Sequence, residues 1–152
     1  MKISTRGRYA VRAMIDLAFH SKKRPVTLSD ISKRQGISLN YLEQLFHKLR
    51  KKGVVRSVRG PGGGFLLNKD TKELSVRDIL FAVDEDIYPV HCVRDGTPHE
   101  DLCVRLDQCV TRAIWKKLGD HIDKVLGSIT LDEMCKESKK IEKKGKITAE
   151  KG

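Results

Sequence analysis

Apolar residues recur at helical spacing through the first half of the chain, interrupted by short polar turns. Tyr9, Ala10, Ala13, Met14, Leu17 and Ala18 form one stripe. Their spacing predicts a helix from Thr5 to about Ser21 with one buried face. Ser4 or Thr5 can cap it, and Lys22-Lys23-Arg24-Pro25 ends it, because proline turns the residue before it away from helix. Thr27 followed by Asp30 is a capping-box-like pair. It opens a short helix with Leu28 and Ile31 on one side, and Gly36 suits a left-handed C-cap. Ser38 caps a further helix to about Gly53. There Leu42, Leu45, Phe46 and Leu49 follow the i, i+3, i+4, i+7 pattern of a buried face. Two strand-like runs come next, Val54-Val55 and Phe65-Leu66-Leu67, with Arg59-Gly60-Pro61-Gly62-Gly63-Gly64 as the turn between them.

The second half is less regular. Ser75 and Asp78 open a helix through Val83, with Val76, Ile79, Leu80 and Val83 apolar. Asp84 to Leu106 shows no period, and a stretch of that length is usually functional or disordered. From about Asp107 a helix is expected to run to Gly127, roughly 30 Å at about 1.5 Å per residue. Its apolar positions are Val110, Ile114, Leu118, Ile122, Val125 and Leu126. That stripe needs a second surface, either its own domain or another chain. Pairing with a second chain is favoured, because two-fold dimers read palindromic DNA sites. Thr130 and Glu133 suggest one further helical turn. From Lys136 the Lys/Glu alternation with few apolar residues reads as a disordered tail.

Helix, tight turn, helix and a glycine-tipped hairpin make a winged helix-turn-helix. The fold class is therefore mainly α with a small β-hairpin wing, followed by a long C-terminal dimerisation helix. The expected organisation is a DNA-binding domain over residues 1–83, a loop over 84–106, a dimerisation helix region over 107–135 and a charged tail over 136–152. In this geometry the second helix enters the major groove by its N-terminal end. Ser38, Asn40, Tyr41, Glu43 and Gln44 then face the bases. Gln44 suits adenine and Glu43 suits cytosine. Arg59, Gly60 and Pro61 at the wing are expected on the backbone or in the minor groove, since Arg pairs with phosphate bidentately. The glycine cluster is not a nucleotide cradle: it neither ends in Gly-Lys-Ser/Thr nor opens a helix.

Charge sharpens this picture. Residues 1–60 hold 15 Lys+Arg against 3 Asp+Glu, a net +12, while the whole chain of 152 residues carries +11. The basic excess lies wholly in the helix-turn-helix part, which points to a polyanion partner. No stretch is apolar enough to span a membrane. Arg6, Arg8 and Arg12 interrupt any signal-peptide core, so a cytoplasmic location is expected. The four cysteines then read as reduced thiols or metal ligands rather than disulfides.

Cys92, Cys103 and Cys109 are spaced C-x10-C-x5-C within or beside the irregular loop. Three thiols on one mobile segment can converge on a metal, and thiolates select zinc or iron–sulfur clusters. Equally, buried cysteines serve as small hydrophobes. Cys109 falls near a helix N-terminus, where the dipole favours thiolate. Cys135 stands apart and reads as a structural or free thiol.

The segments MKISTRGRYAVRAMIDLA, DISKRQGISLNYLEQLFHKLRKKGVV, SVRGPGGGFLL, ILFAVDE and CVTRAIW resemble the IscR family of bacterial iron–sulfur cluster regulators. The resemblance covers nearly all of the chain except the charged tail. It implies a dimeric transcription factor, not an enzyme, in which Cys92, Cys103 and Cys109 hold a 2Fe–2S cluster. Such a protein represses cluster-assembly genes when loaded. Two departures matter. The first gap between cysteines is longer than in the family pattern. In addition, Arg112 stands where a ligating histidine is usual, and an arginine stays protonated and cannot ligate. His91, His99, Glu100, Asp101 and Asp107 are local candidates for a fourth ligand. The alternative is a regulator of the same fold that senses through thiols or zinc. A redox enzyme has no second cofactor motif or catalytic constellation to support it.

Overall fold

The computed structural model describes residues 1–98 and 103–151, with side chains as far as Gly145. Its elements are α1 (Thr5–His20), α2 (Leu28–Gln35), α3 (Leu39–Lys51), β1 (Val55–Val58), β2 (Gly64–Leu67), α4 (Val76–Ala82), α5 (Val110–Ser128) and α6 (Leu131–Lys151). Each early helix begins where a side-chain oxygen accepts an otherwise orphaned N–H. Ser4 caps Gly7 in α1, Thr27 caps Asp30 in α2 and Ser38 caps Tyr41 in α3. Ser75 and Asp78 form a reciprocal capping box on α4. Gly36 closes α2 at φ +64°, the left-handed conformation its position calls for.

The strands pair antiparallel from Val55 opposite Leu67 to Val58 opposite Gly64. The hairpin is thus longer than Val54-Val55 suggested, and Arg56 and Ser57 extend β1 with their side chains exposed. Its turn requires glycine. A Cβ on Gly63 would meet the Val58 carbonyl oxygen, and Gly64, at φ +147°, lies against the backbone of Val26. There Val26 and Phe65 exchange two backbone hydrogen bonds of 3.0 and 2.8 Å, tying the wing to the entry of α2.

One core gathers α1, α2, α3, the wing and α4. Met14, Leu17, Ile31, Leu42, Phe46, Leu49 and Ile79 are all fully buried within it. Phe46 of α3 meets Phe65 of β2 edge-on, with ring centres 4.9 Å apart, which packs α3 directly against the wing. A buried Asp16 joins α1 to α2 through Arg34 and Gln35.

Helix α5 carries two apolar stripes rather than one. Ile122, Leu126 and the following Ile129 pack on Val76, Leu80 and Ile87. Val110, Ile114, Leu118 and Val125 face outward at 86, 58, 45 and 56 % exposure. Both surfaces considered from the sequence are therefore relevant: the domain takes one face and leaves the other bare. Buried Gly119 lets Tyr88 and Pro89 of the preceding segment lie against the helix.

Thr130 and Glu133 cap each other at 2.9 and 3.2 Å. The helix they open runs to Lys151, well beyond the single turn expected. Leu131 is buried in the main core and Cys135 packs at its edge. The Lys/Glu alternation read as a disordered tail is spaced for ion pairs along a helix, including Lys136 with Asp132 and Lys140 with Glu137.

Candidate functional site

Helix α3 buries Leu42, Leu45, Phe46 and Leu49 and turns Asn40, Glu43, Gln44 and His47 to solvent. Asn40, Glu43, Gln44, His47 and Lys48 line one open cleft on the exposed face. This is the surface a helix presents to a groove. Ser38 and Tyr41 have other work as well. The Ser38 hydroxyl caps α3. The half-buried Tyr41 ring meets Tyr9 edge-on at 5.8 Å, and Arg12 stacks over Tyr9. These two residues therefore set the entry and tilt of α3, while Asn40, Glu43 and Gln44 are free to touch bases.

Arg59, Gly60 and Pro61 lie exposed at the wing tip. Gly60 (φ +92°) and Gly62 (φ +73°) shape the tip, and the Gly63 N–H closes the turn on the Gly60 carbonyl at 2.9 Å. Arg59 keeps its side chain in solvent, as a phosphate contact must.

The thiols occupy a separate region. Cys92 lies half-buried in a 3-10 turn, His91–Val93, next to α5. Cys103 is exposed. Cys109 is the N-cap residue of α5, with its Sγ 3.3 Å from Thr111 Oγ1. Hydrogen bonds from the Thr111 side chain and the Arg112 N–H hold the Cys109 thiol below its usual range, and the Arg112 guanidinium adds to this. Cys135 is the opposite case: burial pushes its thiol up, and it lies against the Ile15 carbonyl in the core edge.

The donor chemistry of Cys92, Cys103 and Cys109 fits a thiolate-held cluster, since all three are soft donors outside the core and the Cys109 thiol lies below its usual range. They are not drawn together: among the described residues no three Cys, His, Asp or Glu side chains form a group that could hold a metal. His91 and Asp107 are exposed on this segment. His99, Glu100 and Asp101 lie outside the described residues. Arg112 lines an open cleft with Cys109, Lys116 and His121.

What sequence reasoning missed is an acidic joint beside α3. Lys48 pairs with Asp84 at 2.6 Å. Next to it, buried Glu85 accepts hydrogen bonds from the N–H and hydroxyl of Ser4 and faces Arg6 at 3.6 Å. The residues are far apart in the chain, and no periodic pattern links them.

The whole arrangement is a known one. Residues 3–137 match the Rrf2 family, described as iron-dependent transcriptional regulator. The chain is 53% identical over 135 residues to the HTH-type transcriptional regulator IscR of Photorhabdus laumondii, covering 88% of this chain and 79% of that one. It is 46% identical over 146 residues to the Escherichia coli regulator of that name, covering 96% and 87%. Among solved structures, T. potens IscR superposes with a TM-score of 0.70 at 38% identity, covering 91% of this chain and 88% of that one. CymR, the global cysteine regulator of B. subtilis, superposes with a TM-score of 0.72 at 33% identity, covering 90% and 98%. No helix among the described residues is long and apolar enough to cross a membrane. The chain belongs to the Rrf2 family: it is a DNA-binding transcriptional regulator of the winged-helix type and not an enzyme.

Proposed function

We propose that the protein is a homodimeric repressor of iron–sulfur cluster assembly genes that senses cluster supply through a 2Fe–2S cluster held by Cys92, Cys103 and Cys109. The observation that carries this reading is the position of Cys109. It begins the helix whose outward stripe, Val110, Ile114, Leu118 and Val125, is bare. A second copy of the chain covers that stripe, because two α5 helices laid face to face remove the apolar surface of both from water. The two α3 helices are then held at a fixed spacing on a pseudo-palindromic operator.

Cys92, Cys103 and Cys109 would hold a bound cluster, which would supply iron-dependent, oxygen-sensitive chemistry between the 84–109 segment and the start of α5. Cys92 joins it from the 3-10 turn against α5, Cys103 from the exposed loop and Cys109 from the helix N-terminus. Arg112 contributes positive charge beside a thiolate set rather than a fourth bond, so the fourth ligand is an oxygen or nitrogen donor from another residue. With Arg112 in place of the usual histidine, a substitute fourth ligand would hold the cluster more weakly, and it would be easily lost in air. Asn40, Glu43 and Gln44 read the bases, and Arg59 with Gly60 and Pro61 holds the backbone or minor groove. Such a regulator works in the cytoplasm, where its DNA and a reducing environment are found.

A second reading has one observation in its favour: the low-lying thiol of accessible Cys109 suits direct thiol chemistry or zinc without a cluster. Iron, sulfide and zinc analysis of protein kept free of oxygen, with a visible spectrum, separates the two. Equal iron and sulfide with absorption in the visible is expected. Zinc alone, or thiols without metal, replaces the cluster reading with the second.

A further inference from the structure

Lys48 stands at the junction of two clefts. One is the exposed face of α3 with Asn40, Glu43, Gln44 and His47. The other runs along the end of α3, where His47, Lys48, Lys51 and Lys52 face Ala82 and Asp84. Three cations and one carboxylate line that second cleft, so a phosphate strand lying along α3 would meet positive charge everywhere except at Asp84.

Asp84 is held there by more than one contact. Its carboxylate takes Lys48 Nζ at 2.6 Å, and its carbonyl accepts from the Arg6 guanidinium. It is the one non-glycine residue with positive φ among the described residues, at +56°. Aspartate tolerates that conformation better than most side chains, yet it persists where neighbouring contacts over-determine it. Glu85, buried beneath Ser4 and Arg6, supplies that anchor. The pairing also leaves the Asp84 carboxyl below the usual carboxylate range, chiefly through the Lys48 hydrogen bond. Both side chains remain open to solvent, so the pair can exchange partners without unfolding anything.

We infer that Lys48 is a further DNA-contacting residue and that Asp84 is its internal competitor, occupying the lysine in the free protein and surrendering it to a backbone phosphate on binding. Asp84 thereby restrains sequence-independent binding. A lysine already paired releases no DNA counterion until the exchange occurs, and the carboxylate left behind repels the strand.

The test is a salt series of binding to a short mixed-sequence duplex. The full chain is compared with Asp84→Asn, Lys48→Ala and the double variant. Asparagine keeps the shape of Asp84 and tolerates the same φ. Asp84→Gly serves as a second charge-free variant that also suits that φ, should the first fail to fold. Either charge-free variant is expected to bind more tightly, with the slope of log K against log salt close to that of the wild type, because Lys48 meets the phosphate in both complexes. Lys48→Ala weakens binding and flattens the slope by about 0.9. Added to Lys48→Ala, Asp84→Asn gains less affinity than it does alone. Equal or weaker binding by the charge-free variants overturns the proposal. So does an equal gain in the Lys48→Ala background, or a Lys48→Ala slope unchanged from the wild type. Salt-dependent binding by the wild type reads the DNA-binding function itself, and only the differences between variants read the role of Asp84.

Discussion

Arg34→Met tests the joint that sets the recognition helix. Asp16 is buried in α1 with its side chain 1% exposed. Arg34 donates to both of its oxygens, at 2.7 to 3.1 Å, and Gln35 Nε2 donates at 2.9 Å. These bonds hold the guanidinium above its ordinary pKa and fix α2 against α1. Methionine fills much of the arginine stem but strands the carboxylate. Removing one partner of a buried pair costs about 3–5 kcal/mol. Gln35 and His20, whose Nδ1 lies 3.5 Å from the carboxylate, remain as partners. Arg34 is also 34% exposed, so water reaches part of the gap. Those two facts bring the expected cost to about 2–3 kcal/mol. For a chain of this size that is a fall in Tm of about 4–12 °C, read by circular dichroism at 222 nm. Asp16→Asn combined with Arg34→Met removes the stranded charge and should recover more than half of the loss. A Tm for Arg34→Met within about 1 °C of wild type would refute the reasoning, because the carboxylate would then have been satisfied without Arg34.

Three further outcomes are expected. Glu43→Ala should relax discrimination between operator variants selected from a random duplex library, while a uniform loss of affinity would mean that Glu43 reads no base. Arg59→Ala should weaken binding and flatten the salt slope by about 0.9, and an unchanged slope removes Arg59 from the phosphate contacts. Glu85 gives a pH signature. Burial alone would raise its carboxyl, but hydrogen bonds from Ser4 and Gly7 and the Arg6 charge overcome burial and hold it below the carboxylate range. A depressed carboxylate stabilises the fold above its unfolded pKa, and the contribution is lost as pH falls through the folded value. Urea midpoints should therefore decline less steeply on acidification for Glu85→Gln than for wild type, and parallel curves would exclude this role.

The helices of the DNA-binding half were legible because their signals are local. Ser4, Thr27, Ser38 and Ser75 announce their own helix starts, and Leu42, Leu45, Phe46 and Leu49 announce a face. The wing was legible from glycines that only a tight turn needs. Hidden features depend on pairings across the chain. Lys48 and Asp84 are 36 residues apart, and nothing periodic connects them. The apolar positions of α5 read as one stripe because a 3.6-residue period cannot say which neighbour each side meets; the packing of Ile122 and Leu126 on α4 separates it into two. The contact of Tyr41 with Tyr9 was hidden because Tyr9 lies on another helix. The length of helix α6 was missed because its composition is polar, whereas its first turn is held by Leu131 in the core and the pairs Lys136–Asp132 and Lys140–Glu137 lie along the turns that follow. The spacing of Cys92, Cys103 and Cys109 suggested a common site, but among the described residues the three side chains are not gathered into one.

The most direct test of cluster sensing compares single Cys→Ala variants reconstituted without oxygen. Cys92→Ala, Cys103→Ala and Cys109→Ala should each lose the visible absorption, and Cys135→Ala should keep it, since that thiol lies at the core edge beside Ile15. Loss of the absorption in Cys135→Ala, with full retention in any of the other three, would contradict the assignment.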